Sequence, residues 1–210
     1  MVDGSLDTTH EGGQGGHVGD LVRLPPLGHA SARMQEIEQL AGLDPENATS
    51  ESICSRVAEI FQVKETEVAL LELGGSLLNF VHPAELKTAG AIPLSSSAVA
   101  ARTARSRPAE LFNTFTQVKH SSIFELVKLG DTGLDDQIIQ KLMTAPVLAP
   151  GGKVIGVIQI SRKAPRPAAA GPDFTPEDLR RLEEVARVMG KLMNGRGLAK
   201  GKGARQGTSV

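Results

Sequence analysis

Apolar positions first become periodic over residues 31–41, where Met34, Ile37, Leu40 and Ala41 recur at helical spacing before Gly42. A second helical face follows with Ile53, Val57, Ile60 and Phe61, and Thr49 or Ser50 stands where a capping hydroxyl belongs. The pattern then becomes extended. Two apolar runs, 67–73 and 77–82, flank Gly74-Gly75, which predicts a β-hairpin closed off by Pro83. Ile92-Pro93-Leu94 reads as a short strand, and Ser95-Ser96-Ser97 offers capping hydroxyls to an Ala-rich helix over 98–105. Pro108 separates that helix from an expected strand over 111–118. Residues 120–142 read as a short helix with a Gly- and Asp-rich loop at 130–136. Strands over 143–148 and 154–160, joined by Pro150-Gly151-Gly152, form a second hairpin, and 163–172 is a Pro- and Ala-rich loop.

The last helix has the fullest signal. Thr175-Pro176-Glu177-Asp178 combines an N-cap hydroxyl, proline in the first turn and two acids at the positive end of the helix dipole. Leu179, Leu182, Val185, Ala186, Met189, Leu192 and Met193 then form a stripe that stops at Asn194-Gly195. The stripe is wider than packing on a sheet demands, so a homodimer through the first and last helices is expected. Gly190 is the weak point, because glycine costs about 1 kcal/mol against alanine inside a helix.

This order places a globular domain over 31–194, with a flexible Gly-rich leader over 1–30 and a disordered basic Gly-rich tail over 195–210. Hairpin-joined strands with helices on their faces make the fold class α+β with an antiparallel sheet, not a doubly wound parallel one.

Composition narrows function more than fold. Apolar residues are 40% and net charge is −1, so a core can form and no global field draws nucleic acid or membrane. Trp and Tyr are absent and Phe numbers six, which argues against base- or sugar-stacking sites. No segment has the form of a signal peptide, and no apolar run reaches the about 20 residues of a membrane span, so a cytoplasmic protein is expected. Cys54 is the single cysteine, on the apolar side of its helix, and reads as a core residue; an internal disulfide or a cysteine-rich metal site is excluded. His10, His17 and His29 stand in no compact ligand spacing. No zinc-protease, serine-hydrolase or phosphate-loop motif occurs, so no catalytic residue is assigned. Ser95-Ser96-Ser97 admits two readings: ordinary capping, or a seat for a phosphate or carboxylate with Arg102 or Arg105 beside it.

Three stretches together resemble the GAF family. Residues 154–160, Val-Ile-Gly-Val-Ile-Gln-Ile, match its late strand; 173–179, Asp-Phe-Thr-Pro-Glu-Asp-Leu, match the start of its last helix. The hairpin at Gly74-Gly75 and Ile92-Pro93-Leu94 before the serines fall in the family's order. The resemblance implies a GAF/PAS-like antiparallel six-stranded sheet with helices on both faces, the first and last packed together. It implies a small-molecule pocket on the opposite side, for which position nominates Phe80, Ile92, Ser97, Phe112, Phe115 and Phe124, residues that serve equally as core.

The signature of cyclic-nucleotide-binding members is kept in part. Arg162-Lys163 stand where Asn-Lys is expected, Phe174 and Asp178 are kept, and Leu179 replaces Glu. Lys163 and Asp178 could then brace the last strand against the last helix. Methionine-sulfoxide-reducing members use several cysteines, and pigment-attaching members need one in the pocket, which Cys54 does not supply. His82 and His120 are the remaining iron or haem candidates, and no cofactor is assigned. The expected function is a non-catalytic sensory or regulatory module with a small-molecule ligand, a homodimeric state and a protein partner for output. The alternative is a structural adaptor without a ligand.

Overall fold

The computed structural model describes residues 35, 37–40, 42–44, 47–88, 90–117 and 138–202. A helical stretch at 37–40 leads to α1 (Ser50–Phe61), the hairpin β1 (Val68–Gly74) and β2 (Leu77–His82), and the three-residue β3 (Ala91–Pro93). Then come α2 (Val99–Ser106), the short β4 (Glu110–Phe112), the hairpin β5 (Ile138–Leu148) and β6 (Val154–Ala164), and α3 (Pro176–Lys202). The six strands lie in the order β3-β2-β1-β6-β5-β4, antiparallel throughout. Both edges are three-residue strands, and β3 ends in Pro93, so the outermost strands themselves are too short to template another chain.

Successive strand residues point to opposite faces, and here both faces are covered. Val68 and Leu70 join Met143, Ala145, Ile158 and Ile160 beneath α1 and α3, where Ile53, Val57, Leu182, Val185 and Met189 are buried. Leu40 sinks into this same cluster, which packs the first helical stretch together with the last helix. Ala69 and Leu71 face the other way, with Leu78, Phe80, Ile92, Leu142 and Val157, under α2. Full burial of each such large apolar side chain contributes about 1.5–3 kcal/mol, so both layers hold the sheet.

The helix ends follow their local chemistry. Thr49 caps α1 in a reciprocal box with Ser52 (Oγ1 accepts from Ser52 N at 3.0 Å; Ser52 Oγ accepts from Thr49 N at 2.9 Å). Thr175 and Asp178 do the same for α3, at 3.1 and 2.8 Å. α2 departs from expectation: Ala98 occupies its N-cap, with no side-chain bond to the first turn, so none of the three serines caps it.

Other differences have physical causes. The strand expected over 111–118 is only Glu110–Phe112, because the chain turns into a 3-10 segment at Phe115–Gln117. β5 and β6 run farther than their apolar cores, to eleven residues each. Their extra length is polar and partly satisfied: Gln140 Nε2 donates to Ala164 O at 2.8 Å and Ser161 Oγ to Glu67 O at 3.0 Å, while Gln140 Oε1 and Arg162 Nε are buried without a partner. α3 passes Asn194-Gly195 and continues to Lys202, shortening the expected tail; 203–210, the leader 1–30 and the loop 130–136 lie outside the described residues. Met189 is fully buried within the monomer, so much of the stripe that predicted a dimer is spent on the chain's own core. Leu179, Val188 and Met193 remain partly open.

Gly156 and Gly190 mark two close approaches. A Cβ at Gly156 would lie 2.4 Å from Leu71 O, where β6 runs against β1. At Gly190 it would lie 1.9 Å from Leu148 O, where α3 crosses the end of β5. Helix propensity alone predicts that Gly190→Ala gains about 1 kcal/mol. The backbone clash reverses the sign, and we expect a loss of about 2–3 kcal/mol in urea unfolding, since overpacking against main chain has no flexible neighbour to yield. An unchanged or higher urea midpoint would show that α3 does not pass this close to β5.

Candidate functional site

The face under α2 holds most of the nominated pocket residues. Phe80, Ile92 and Phe115 are 5%, 3% and 2% exposed and form part of its apolar layer. Phe112 packs on that layer from β4 and stays partly open, its ring meeting Phe115 edge-on with centroids 6.0 Å apart. Ser97 is exposed, away from this layer, and Phe124 lies outside the described residues. The structure therefore brings four of the six together and leaves Ser97 apart.

Polar groups frame the aromatic pair. The guanidinium of Arg102 sits 5.6 Å from the Phe112 ring centroid and grips Glu110 with two bonds of 3.1 Å. Thr103 Oγ1 donates to Val99 O at 3.0 Å and lies 3.2 Å from Thr144 Oγ1, a buried hydroxyl pair between α2 and β5. Arg105 Nη1 donates to Ser96 O at 3.0 Å and also to Leu94 O. Both arginines nominated for an anion beside the serines thus have protein partners, and the buried Ser96 Oγ has none. The serine turn is held by Arg105; its hydroxyls do not hold the helix.

The family signature does its work on the other side. Arg162 stacks on Phe174 at 4.8 Å, and Asn113 clamps the Phe174 backbone, Nδ2 to O at 3.0 Å and Oδ1 from N at 2.9 Å. Lys141, nearly buried, donates to Gly171 O at 2.6 Å and pairs with the exposed Asp173 at 2.7 Å. Lys163 and Asp178 do not pair. Lys163 Nζ donates to Thr66 O at 2.7 Å, while the Asp178 carboxylate is taken by Thr175. The segment just before the last helix is held instead by Arg162 of β6, Lys141 of β5 and Asn113 beyond β4. Glu67 completes the lock by accepting from Lys163 N at 2.7 Å and Lys64 N at 2.9 Å. Glu67, Asn113 and Lys141 escaped sequence reasoning; the one available signal was a charged residue bordering an apolar strand.

Of the two histidines, only His82 falls among the described residues, and no metal-ligand cluster forms around it. His82 is buried with Nε2 3.2 Å from Glu65 O, and His120 lies outside the described residues. Among the described residues no three His, Cys, Asp or Glu side chains come together as metal ligands. None of the described helices is long and apolar enough to cross a membrane. Cys54 is buried in the α1–α3 layer, and burial, helped by the charges of Glu51 and Glu65, pushes its thiol up to about 12. Burial also lowers Lys163, to about 8, against the opposing pull of Glu67.

The family model for the GAF domain matches residues 46–192. No curated protein sequence matches the chain. Among solved structures, the GAF domain of an Acinetobacter phosphoenolpyruvate-protein phosphotransferase superposes with a TM-score of 0.58 at 12% identity, over 80% of this chain and 98% of that one. A putative GAF sensor protein from Burkholderia vietnamiensis gives 0.52 at 18% identity, over 80% and 98%. Free methionine-R-sulfoxide reductase from Neisseria meningitidis, solved with its substrate, gives 0.57 at 12%, over 81% and 93%. At such identities the likeness is one of fold.

Two expectations follow from the buried groups. In native protein Cys54 should stay silent to a thiol-reactive disulfide dye at pH 8 and titrate as one thiol after denaturation; rapid native labelling would contradict its burial. For Lys163, the folded value near 8 lies below the ordinary value of about 10.4, so between these the unfolded chain holds the extra proton. Its contribution therefore makes stability rise with pH across that window. Urea midpoints of wild type and Lys163→Met should diverge there, the wild type gaining relative to the variant; parallel profiles would place the amine in water.

Proposed function

The chain belongs to the GAF domain family, and on that footing we propose that it is a non-catalytic sensory or regulatory module binding a small molecule against the α2 face of its sheet. The observation that carries this is the Phe112–Phe115 pair, an apolar wall running from buried to open beneath the Arg102–Glu110 ion pair. A mostly apolar wall with a few fixed polar groups is what a small-ligand site requires. Phe80, Ile92 and Phe115 would form its floor, with Phe112 at the mouth; Ser97 and Phe124 complete the nominated set. Thiol chemistry like that implied by the reductase neighbours has no support here, since the one thiol lies on the opposite face and is held protonated.

A second reading rests on a specific observation. Phe80, Ile92 and Phe115 are already as buried as core residues, which suits an adaptor whose own side chains fill this face. In both readings the module dimerises along the terminal helices, on the partly open Leu179, Val188 and Met193, and an unidentified protein receives its output.

Native mass spectrometry of freshly purified protein, with a denatured control, tests these readings together. The sensory reading expects a dimer with excess mass that is lost on denaturation and reduced in Phe112→Ala. A bare mass, together with no rise in Tm from nucleotides, common metabolites or haem, would leave the adaptor reading standing, because a ligand that binds only the folded state must stabilise it. A monomer at micromolar concentration would remove the dimer from both.

A further inference from the structure

A separate notch lies where α2, β5 and α3 meet. β4 pairs with β5 only as far as Thr144, so beyond it the outer edge of β5 has no strand partner among the described residues. The gap is a cavity of about 210 Å³ lined by Arg107, Ala145, Pro146, Leu148, Glu183 and Arg187. That is below the roughly 300–1,000 Å³ of sites for drug-sized ligands, so the occupant is small.

Three features describe this notch, whose charged side chains Arg107, Glu183 and Arg187 are all exposed. Arg107, Glu183 and Arg187 have no ion pair or side-chain hydrogen bond among the described residues. Glu183 and Arg187 stand four apart on α3, with the acid N-terminal, the arrangement that favours a helix ion pair, yet they do not pair. Arg107, the C-cap of α2, takes φ 70° and ψ −16°, its N–H reaching Thr103 O at 2.9 Å. This left-handed cap position is one that glycine fills without strain. Gln62 ends α1 in the same left-handed way, so what distinguishes Arg107 is its guanidinium at the cavity rather than its backbone angle.

We propose that this notch binds a small zwitterion of the α-amino acid type. Arg107 and Arg187 supply planar donors for the carboxylate, and Glu183 supplies an acceptor for the ammonium. Ala145, Pro146 and Leu148 form an apolar floor for a short aliphatic side chain. Two cations against one anion leave a net positive site, so the carboxylate is the group that dominates capture, and Glu183 separates zwitterions from simple anions. The site lies at the β5 edge beside α3, apart from the aromatic pair under α2, and stands or falls independently of that one.

The test uses the full chain with L-valine as probe, 3-methylbutanoate as the same skeleton without the ammonium, and inorganic phosphate as a bare anion. Backbone amide shifts should move at Ala145, Leu148 and Arg187 on titration with valine. Valine should bind at least about tenfold more tightly than 3-methylbutanoate, as a charged hydrogen bond is lost in the latter, and Glu183→Gln should abolish that difference. Arg107→Gly should raise Tm by a few degrees while weakening valine at least about tenfold, a combination that a purely structural arginine would not give. Equal binding of valine and 3-methylbutanoate, preference for phosphate, or loss of stability together with binding in Arg107→Gly would each overturn the proposal. Shifts confined to the amides of Phe80 and Phe115, or none at millimolar valine, would overturn it as well.

Discussion

The antiparallel ladder between β5 and β6 is the constraint on which the other elements depend. It runs from the pair Ile138–Ala164 to the pair Leu148–Val154 and passes β1 to one side and β4 to the other. Buried on both faces, it must alternate its side chains between two cores, which is why Met143 and Ala145 serve one layer and Leu142 the other. A one-residue slip in its register would exchange the layers. At its far end, where the register shifts between Ile139 and Lys141, polar side chains take over from apolar packing: Gln140 bonds across to Ala164, Ser161 to Glu67, and Lys141 to Gly171.

The same ladder explains what sequence reasoning could and could not see. Elements defined by period and punctuation were legible: α1 behind Thr49, the hairpin through Gly74-Gly75, and α3 behind Thr175. Strand ends were less so, because Gln140, Lys141, Ser161, Arg162 and Lys163 look like loop residues until their partners are known. The expected caps at Ser95–Ser97 failed because the helix begins later, with Ala98 at the N-cap and no side-chain bond to the first turn. α3 outran Asn194-Gly195 because a glycine is only a weak stop, at about 1 kcal/mol, when the helix behind it is long.

At the candidate site the legibility divides by chemistry. Aromatic residues are easy to nominate from a chain with six phenylalanines, but an aromatic wall and an aromatic core share one sequence signal; only burial separates Phe112 at the rim from Phe80 and Phe115 beneath. The family signature suggested a Lys163–Asp178 pair, and the structure gives these two residues other partners. Capping is local and takes Asp178 first, only three residues from Thr175, while the long-range bracing passes to Arg162 on Phe174. The notch at Arg107 left no signal, since its residues come from three elements and none belongs to a recognisable motif.

The two regions share α2, and that sets a condition on how they can influence each other. Its body packs on the apolar layer of Phe80 and Phe115, through Val99, Ala100 and Ala104, while its C-cap is Arg107. An occupant that draws on Arg107 therefore acts on the element that covers the other face. Coupling between the two then has one requirement: α2 must have two positions that differ in affinity for one of the occupants, because a ligand shifts an equilibrium only by its differential binding. The Thr103–Thr144 hydroxyl pair and the Arg102–Glu110 clamp oppose such movement by tying α2 to β5 and β4. With both intact the helix is tied to its neighbours on two sides. Only a motion that carries β4 along with α2 preserves the Glu110 clamp, and it would have to run through the short three-pair contact of β4 with β5.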